Sequence, residues 1–248
     1  MYYNIAMDKN IISLKEAIKK AKHIVFFGGA GVSTESGIPD FRGKDGLYKL
    51  KSKYGMPYEI MLSHDYFVEH TETFYKFYYE FMINKDAKPN YAHTYLAKLE
   101  KQKDVTVITQ NIDGLHQLAG SKNVIELHGS VLRNYCTNCC SKYTLDEILK
   151  LGPVPYCPKC HGLIKPDVVL YDEGLDENTI TKAMIALQEA DLLIIAGTSL
   201  RVYPAASFIN YFFGDNVYVI NKDPLQIDRK IKCQINAPIG EVFKEIDN

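Results

Sequence analysis

The chain has 248 residues, of which 46% are hydrophobic and 24% charged, ordinary values for a globular protein that exclude a disordered or fibrous chain. Its 29 basic and 30 acidic residues leave a formal charge of −1, too little for an overall field that draws in nucleic acid or an anionic membrane. The length accommodates one large domain or a main domain with a smaller insert, and apolar runs such as 192–196 are far short of the roughly 20 residues that cross a bilayer.

The first ten residues, MYYNIAMDKN, lack the basic start and apolar segment of a secretory signal, which predicts a cytoplasmic protein. Ile11, Leu14, Ile18 and Ala21 recur at helical spacing and run into the apolar strand HIVFF. An aromatic-rich stretch from Leu47 to about Met82 interrupts the rhythm. A helical pattern at 91–101 precedes the strand VTVIT (105–109), and VIEL (124–127) follows. The cysteine region, 133–167, is the second interruption; a helical pattern at 177–189 and the strands LLIIA (192–196) and VYVI (217–220) complete the chain. These runs are apolar on both faces, as strands of a parallel sheet covered by helices on each side must be, so the fold class is α/β.

Polar chemistry follows every strand: GGAGVSTESG, QNIDGLH, HGS, GTS and NKD in turn. In open parallel sheets ligands bind beyond the carboxyl ends of the strands, so these five clusters converge on one site. Turns are commonly polar, yet turn chemistry alone does not demand Gln, Asn, Asp and His in such groups.

Cys136-x-x-Cys139 and Cys157-x-x-Cys160, with 17 residues between them, offer four soft ligands at the spacing of a structural zinc ribbon. Four thiolates close a tetrahedral shell, so such a metal folds the module and leaves no position for catalysis. Cys140 adjoins the first pair and His161 the second, each a possible substitute ligand. Gly28, Gly29 and Gly31 directly follow a strand, where a backbone can approach a pyrophosphate closely. The third glycine of a G-x-G-x-x-G fingerprint is absent, with Thr34 in its place, which disfavours an ordinary hydride-transferring dehydrogenase. In GIPDFRG, Phe41 can cover a heteroaromatic ring and Arg42 can pair with a phosphate; a core contact and a surface charge are equally consistent with the residues alone. Gln110, Asn111 and Asp113 suit ribose hydroxyls and a carboxamide. His128, ending VIELH, is the best-placed general base, with His116 as runner-up.

Taken together, GAGVSTESGIPDFR, TQNIDGLH, HG, the paired Cys-x-x-Cys and GTSLRVYPAA closely resemble the sirtuins, the NAD-dependent protein deacylases. The resemblance implies a Rossmann-like domain with a smaller discontinuous helical and zinc-ribbon domain: 1–46, 83–132 and 168–248 against 47–82 and 133–167. It implies NAD as co-substrate and one structural zinc on Cys136, Cys139, Cys157 and Cys160. Ala30, Thr34, Phe41 and Arg42 line the cofactor loop, and Gln110, Ile112 and Asp113 hold the ribose and nicotinamide. Thr198, Ser199, Asn221 and Ile239 meet the phosphates and adenosine, and His128 is the catalytic base. Val169 and Tyr171 flank the acyl-lysine, whose backbone pairs between that segment and Leu200 to Val202. The implied reaction starts when the acyl oxygen attacks the anomeric carbon and nicotinamide leaves. His128 then deprotonates a ribose hydroxyl that attacks the resulting imidate, and water releases free lysine and an acylated ADP-ribose.

Two departures bear on substrate choice. LYDE stands where sirtuins commonly have Phe-Gly-Glu, so Asp172 replaces a glycine. Members that prefer succinyl groups carry a Tyr-x-x-Arg pair; here the segment reads Tyr78-Tyr79-Glu80-Phe81, without the arginine, which predicts acetyl or another uncharged acyl group. The predicted partners are acylated-lysine proteins or peptides, not nucleic acid and not membrane. A zinc-ribbon nucleic-acid module needs clustered basic residues, whereas Arg133, Lys142, Lys150, Lys159 and Lys165 are scattered. An NAD glycohydrolase or ADP-ribosyltransferase on the same scaffold is the alternative enzyme.

Overall fold

The computed structural model describes residues 9–41 and 54–248. Helix α1 (Lys9–Lys20) turns Ile11, Leu14 and Ile18 inward, the stripe its sequence predicts, and leads into β1 (His23–Gly28). Short helices α2 (Tyr58–Met61), α3 (His64–Glu69) and α4 (Thr71–Phe81) precede α5 (Tyr91–Leu99). Strand β2 (Asp104–Thr109), helix α6 (Leu115–Leu118) and strand β3 (Val124–Glu126) come next. They are followed by β4 (Gly129–Cys136), β5 (Lys142–Thr144), α7 (Leu145–Ile148) and β6 (Ile164–Val168). The chain closes with α8 (Glu177–Glu189), β7 (Leu192–Ala196), β8 (Val217–Ile220), β9 (Cys233–Ile235) and α9 (Ile239–Asp247).

Six strands form one sheet in the order β3-β2-β1-β7-β8-β9, and every neighbouring pair is parallel. Strand alternation divides its residues between two cores. Ile24, Phe26, Val105, Val107, Ile194 and Ile220 face α1, α5 and α9, while Val25, Phe27, Ile108, Leu193, Ile195 and Val219 face α8 and the turn 205–211. This two-sided burial is why the strands read as unbroken Val/Ile/Leu runs. The exceptions are the two edge strands: β3 is half-buried at every position, and β9 at Cys233 and Gln234. From β1 the chain builds outward through β2 to β3, then returns to add β7 on the other side of β1. That reversal makes the crevice between the β1 and β7 ends a topological switch point, where α/β sheets place ligands.

A second, three-stranded antiparallel sheet, β5-β4-β6, carries the cysteines. Between it and the large sheet, α2 to α4 pack an aromatic cluster in which Phe74, Tyr75, Phe77 and Tyr78 are fully buried. Among the described residues no helix is long and apolar enough to cross a membrane.

Candidate active site

The loops after β1 and β7 meet backbone to backbone. Gly31 N–H donates to Gly197 O at 2.8 Å and Gly29 N–H to Ala196 O at 3.1 Å. A Cβ on Gly31 would lie 2.7 Å from Gly197 Cα, and one on Gly197, whose φ is +57°, 2.5 Å from Val32 N. Gly29 and Gly31 are therefore required by the approach of these two loops, a reason more immediate than the pyrophosphate contact their position after a strand suggested. The loop itself coils into two short 3-10 turns, Ala30–Val32 and Thr34–Ser36, with Thr34 Oγ1 donating to Gly31 O.

Beside this junction the β2 loop builds a polar network. Ser33 Oγ donates to Asp113 Oδ2 at 2.6 Å and accepts from Asn111 Nδ2 at 3.1 Å, while Asp113 Oδ1 accepts the Leu115 N–H. Gln110 Nε2 donates to Thr198 Oγ1 at 3.1 Å, joining the loop after β2 to the loop after β7. Ala30, Thr34, Gln110, Ile112 and Asp113 lie in the loops after β1 and β2 at this edge, with Thr198 buried and Ser199 exposed in the loop after β7. Phe41 packs against the aromatic cluster together with Ile112, and Arg42 lies outside the described residues. Asn221 follows β8 and donates through Nδ2 to Asp223 O. Ile239 is 3% exposed, its side chain packed in the sheet core, so this position has only its backbone to offer a ligand. The neighbouring Gly240 N–H donates to Glu35 Oε2 at 2.8 Å, pinning the loop after β1 to the start of α9.

His128 is half-buried where the chain leaves the large sheet for the small one. Its Nδ1 lies 2.9 Å from Gln110 O. A carbonyl only accepts, so Nδ1 carries the proton and Nε2 keeps its lone pair. Burial lowers the imidazole pKa below its usual value, and the Gln110 carbonyl opposes this in part, so the ring is neutral at pH 7. The His128 carbonyl accepts the Val169 N–H at 3.0 Å. Gly129, with φ +75°, lies so close to β6 that a Cβ would stand 2.0 Å from Asp167 O. The runner-up, His116, is 1% exposed and packed against the tilted ring of His93 at 4.6 Å, out of reach of any substrate.

The segment after β6 closes a tight turn in which Glu173 N–H donates to Leu170 O, with Asp172 at φ +70°. Glu173 fastens this turn, accepting from Leu170 N–H, from the buried Lys165 Nζ at 3.0 Å and from His64 Nδ1 at 2.9 Å. Burial raises its pKa, but these bonds outweigh it and hold the carboxyl below its usual value. Tyr171 spends both backbone groups on α3's approach, donating to Leu62 O and accepting from His64 N–H. Across the site, Leu200 has φ +50° and packs on the second sheet core, and Val202 O accepts the Ala206 N–H.

The four cysteines Cys136, Cys139, Cys157 and Cys160 bring their sulfurs within 4.8 Å of one another. Two of the separations, 3.4 and 3.6 Å, suit a tetrahedron with metal–sulfur bonds of about 2.3 Å. Each pair closes a matching knuckle: Cys140 N–H donates to Cys136 O, His161 N–H donates to Cys157 O, and both following residues take positive φ. That left-handed turn leaves Cys140 and His161 exposed and outside the four-sulfur set, so the regular Cys-x-x-Cys register is the one positioned for one zinc ion. Ser33, Glu35 and Asn90 were not legible as site residues. Asn90 caps α5 and donates to both Val32 O and Ser36 Oγ, and its place just before a helical pattern is the signal that locates it.

The model of the Sir2 family matches residues 29–204. An NAD-dependent protein deacetylase of Clostridium acetobutylicum is 53% identical over 98% of this chain and 99% of its own. One of Clostridium tetani is 56% identical over 93% of this chain and 94% of its own. Among solved structures, a histidine-to-alanine Sir2 variant with a deacetylated p53 peptide and 3′-O-acetyl ADP ribose superposes with a TM-score of 0.87 at 38% identity, covering 96% of this chain and 97% of that one. A Sir2, p53 peptide and NAD complex gives 0.83 at 36% identity, over 94% and 95%. With a family model matched over residues 29–204 and relatives above 50% identity over nearly the whole chain, the chain belongs to the Sir2 family.

Proposed function

We propose that the protein removes acetyl, or another uncharged acyl group, from protein lysines at the expense of NAD, yielding nicotinamide, free lysine and O-acyl-ADP-ribose. The observation that carries this reading is His128, held as the neutral Nδ1–H tautomer by Gln110 O beyond the carboxyl ends of β2 and β3. NAD supplies the anomeric carbon from which nicotinamide departs. The Ser33–Asn111–Asp113 network and Gln110 would offer donors and acceptors to its ribose and amide, and the loop after β1 would hold its phosphates. After nicotinamide has left, His128 Nε2 takes the proton of a ribose hydroxyl; burial keeps the ring unprotonated and ready to do so.

The acyl group enters against an aromatic wall. Tyr78 is fully buried, Phe81 packs on Phe77 at 5.0 Å, and the chain holds no arginine between Arg42 and Arg133. The segment therefore lacks the guanidinium that would pair with an acyl carboxylate. The peptide backbone lies between the Val169 segment and Leu200 to Val202, bonding beside Tyr171, whose own groups are engaged. Residues 1–46, 83–132 and 168–248 make the NAD-binding part, and 47–82 with 133–167 make the small part; the two clusters that flank the large sheet support the first, while the aromatic cluster bridges both parts through Val131, Val168 and Leu170. Thiols kept for metal fit a reducing compartment, the cytoplasm.

Incubation with NAD and an acetyl-lysine peptide, followed by mass spectrometry, should show equal amounts of deacetylated peptide, nicotinamide and O-acetyl-ADP-ribose. Nicotinamide formed without loss of acetyl from the peptide would mark a glycohydrolase or ADP-ribosyltransferase instead. His128→Ala should lower deacetylation by about 10²- to 10⁴-fold with an unchanged melting temperature.

A further inference from the structure

Arg133 projects from β4 and grips two carboxylates with one guanidinium. Its Nη1 donates to Glu126 Oε2 at 2.6 Å, and its Nε donates to Asp167 Oδ2 at 2.8 Å. Glu126 is the last residue of β3, on the edge of the large sheet, and its side chain is only 7% exposed. Asp167 belongs to β6, in the small sheet. His128 lies in the short crossing between them, two residues after Glu126 and five before Arg133.

Leu127 buries its side chain in the sheet core, His128 Nδ1 holds the Gln110 carbonyl and Gly129 pairs with Val168, but among the described residues no other charged side chain spans the two sheets at this crossing. Leu127 N–H donates to Thr109 O, and the His128 carbonyl accepts Val169 N–H. β3 is a half-buried edge strand of three residues. Gly129 rides directly on the Asp167 carbonyl, so a shift of β6 relative to β3 moves the histidine backbone. A planar guanidinium with two charge-assisted bonds sets both distance and angle between its partners, which an ammonium cannot do.

We propose that Arg133 is a positioning residue for His128, holding the edge of the large sheet to the small sheet across the histidine. This rests on the deacylase reading above. Burial lowers the guanidinium pKa, but the bonds to Glu126 and Asp167 outweigh it, so the cation persists throughout the working range. The pair bonds are part-exposed, so their role is alignment rather than stability.

Because nicotinamide leaves before His128 acts, a histidine held out of place slows deacetylation while exchange of labelled nicotinamide into NAD continues. Arg133→Ala should therefore lower kcat for deacetylation by about 10- to 100-fold, the cost of roughly 1 Å of misplacement. Peptide-dependent nicotinamide exchange should fall less than about twofold. Arg133→Lys, which keeps the charge and loses the fork, should recover only part of kcat. Glu126→Gln combined with Arg133→Ala should add little to Arg133→Ala alone. Equal losses in exchange and deacetylation, or a kcat within twofold of the unsubstituted protein, would overturn the role of Arg133. An unsubstituted protein that neither exchanges nicotinamide nor deacetylates the peptide overturns the deacylase reading and this role with it.

Discussion

The large sheet and the cysteine module solve the same problem with different means. The sheet buries two faces, each with its own cluster of aliphatic and aromatic side chains contributed by strands and helices distant in sequence. The cysteine module has a core of five buried residues, Leu145, Ile148, Ile164 and the two ligands Cys136 and Cys157. Removing water from that few side chains cannot offset the conformational entropy of ordering some thirty residues. One region is held by solvent exclusion and the other by a metal. His128, the proposed base, sits on the seam between them, where the edge of the large sheet meets the cysteine module.

The largest expected effect comes from taking that ion away. Structural zinc contributes about 10–16 kcal/mol in small zinc modules. Chelation, or Cys136→Ser, should make residues 133–167 susceptible to protease while the sheet fragment stays protected and keeps its far-ultraviolet circular dichroism. Deacetylation should be lost, since β4 and β6 no longer set the His128 crossing. A module that remains protease-resistant without metal would break the contrast between the two regions.

The sheet side has its own weak point, and acid exposes it. His93 and His116 are buried at 0% and 1% exposure, and among the described residues His93 Nε2 and both nitrogens of His116 have no hydrogen-bond partner. Burial pushes His93 down to about 4, against a small opposing pull from Asp113, and pushes His116 down to about 3, with His93 adding to it. Above pH of about 6.5 both are neutral in the folded and unfolded chain and no linkage arises. Below it the unfolded chain binds protons that the folded one refuses, so stability falls as pH drops from about 6.5 towards 4 and 3. Each histidine contributes a slope of up to about 1.4 kcal/mol per pH unit. His116→Phe, which meets Phe26 at the same edge-on site, should remove one such slope in denaturant titrations across pH 6 to about 4.5. An unchanged slope would mean that His116 is solvated in the fold.

The same contrast governs what could be read beforehand. β1, β2, β7 and β8 are legible because burial on both faces demands an unbroken apolar run. β4, β5 and β6 are not, because a module held by cysteines needs no such pattern and mixes Arg133, Asn134, Lys142 and Asp167 into its strands. β9, only Cys233–Ile235, is too short and mixed to show a period. In the site, His128 and the four cysteines stand out by type and spacing. Glu35 reaching Gly240, and Gly31 meeting Gly197, do not: each depends on a contact across more than 160 residues that no local pattern encodes. Arg133 looks like one scattered cation until β3 and β6 are seen on either side of it.

The smallest expected effect tests the seam itself. The turn Leu170 to Glu173 places Asp172 at φ +70°, the second central position of a turn that favours glycine because a Cβ there crowds the following carbonyl. Aspartate tolerates this conformation better than most residues, and glycine costs extra entropy in the unfolded chain, so the two penalties nearly offset. Asp172→Gly should therefore stabilise the protein by about 0.5 kcal/mol, a rise in melting temperature of about 1–2 °C for a chain of this size. Glu173 keeps its bonds to Lys165, His64 and the Leu170 N–H in either case, so the turn itself persists. Asp172 is exposed beside the segment proposed to carry the peptide. If Asp172→Gly raises the melting temperature and leaves KM unchanged for acetyl peptides with and without neighbouring lysines, the aspartate is a tolerated turn residue. If KM rises only for the basic peptides, its charge takes part in binding, and the αL strain is maintained for substrate choice rather than for folding.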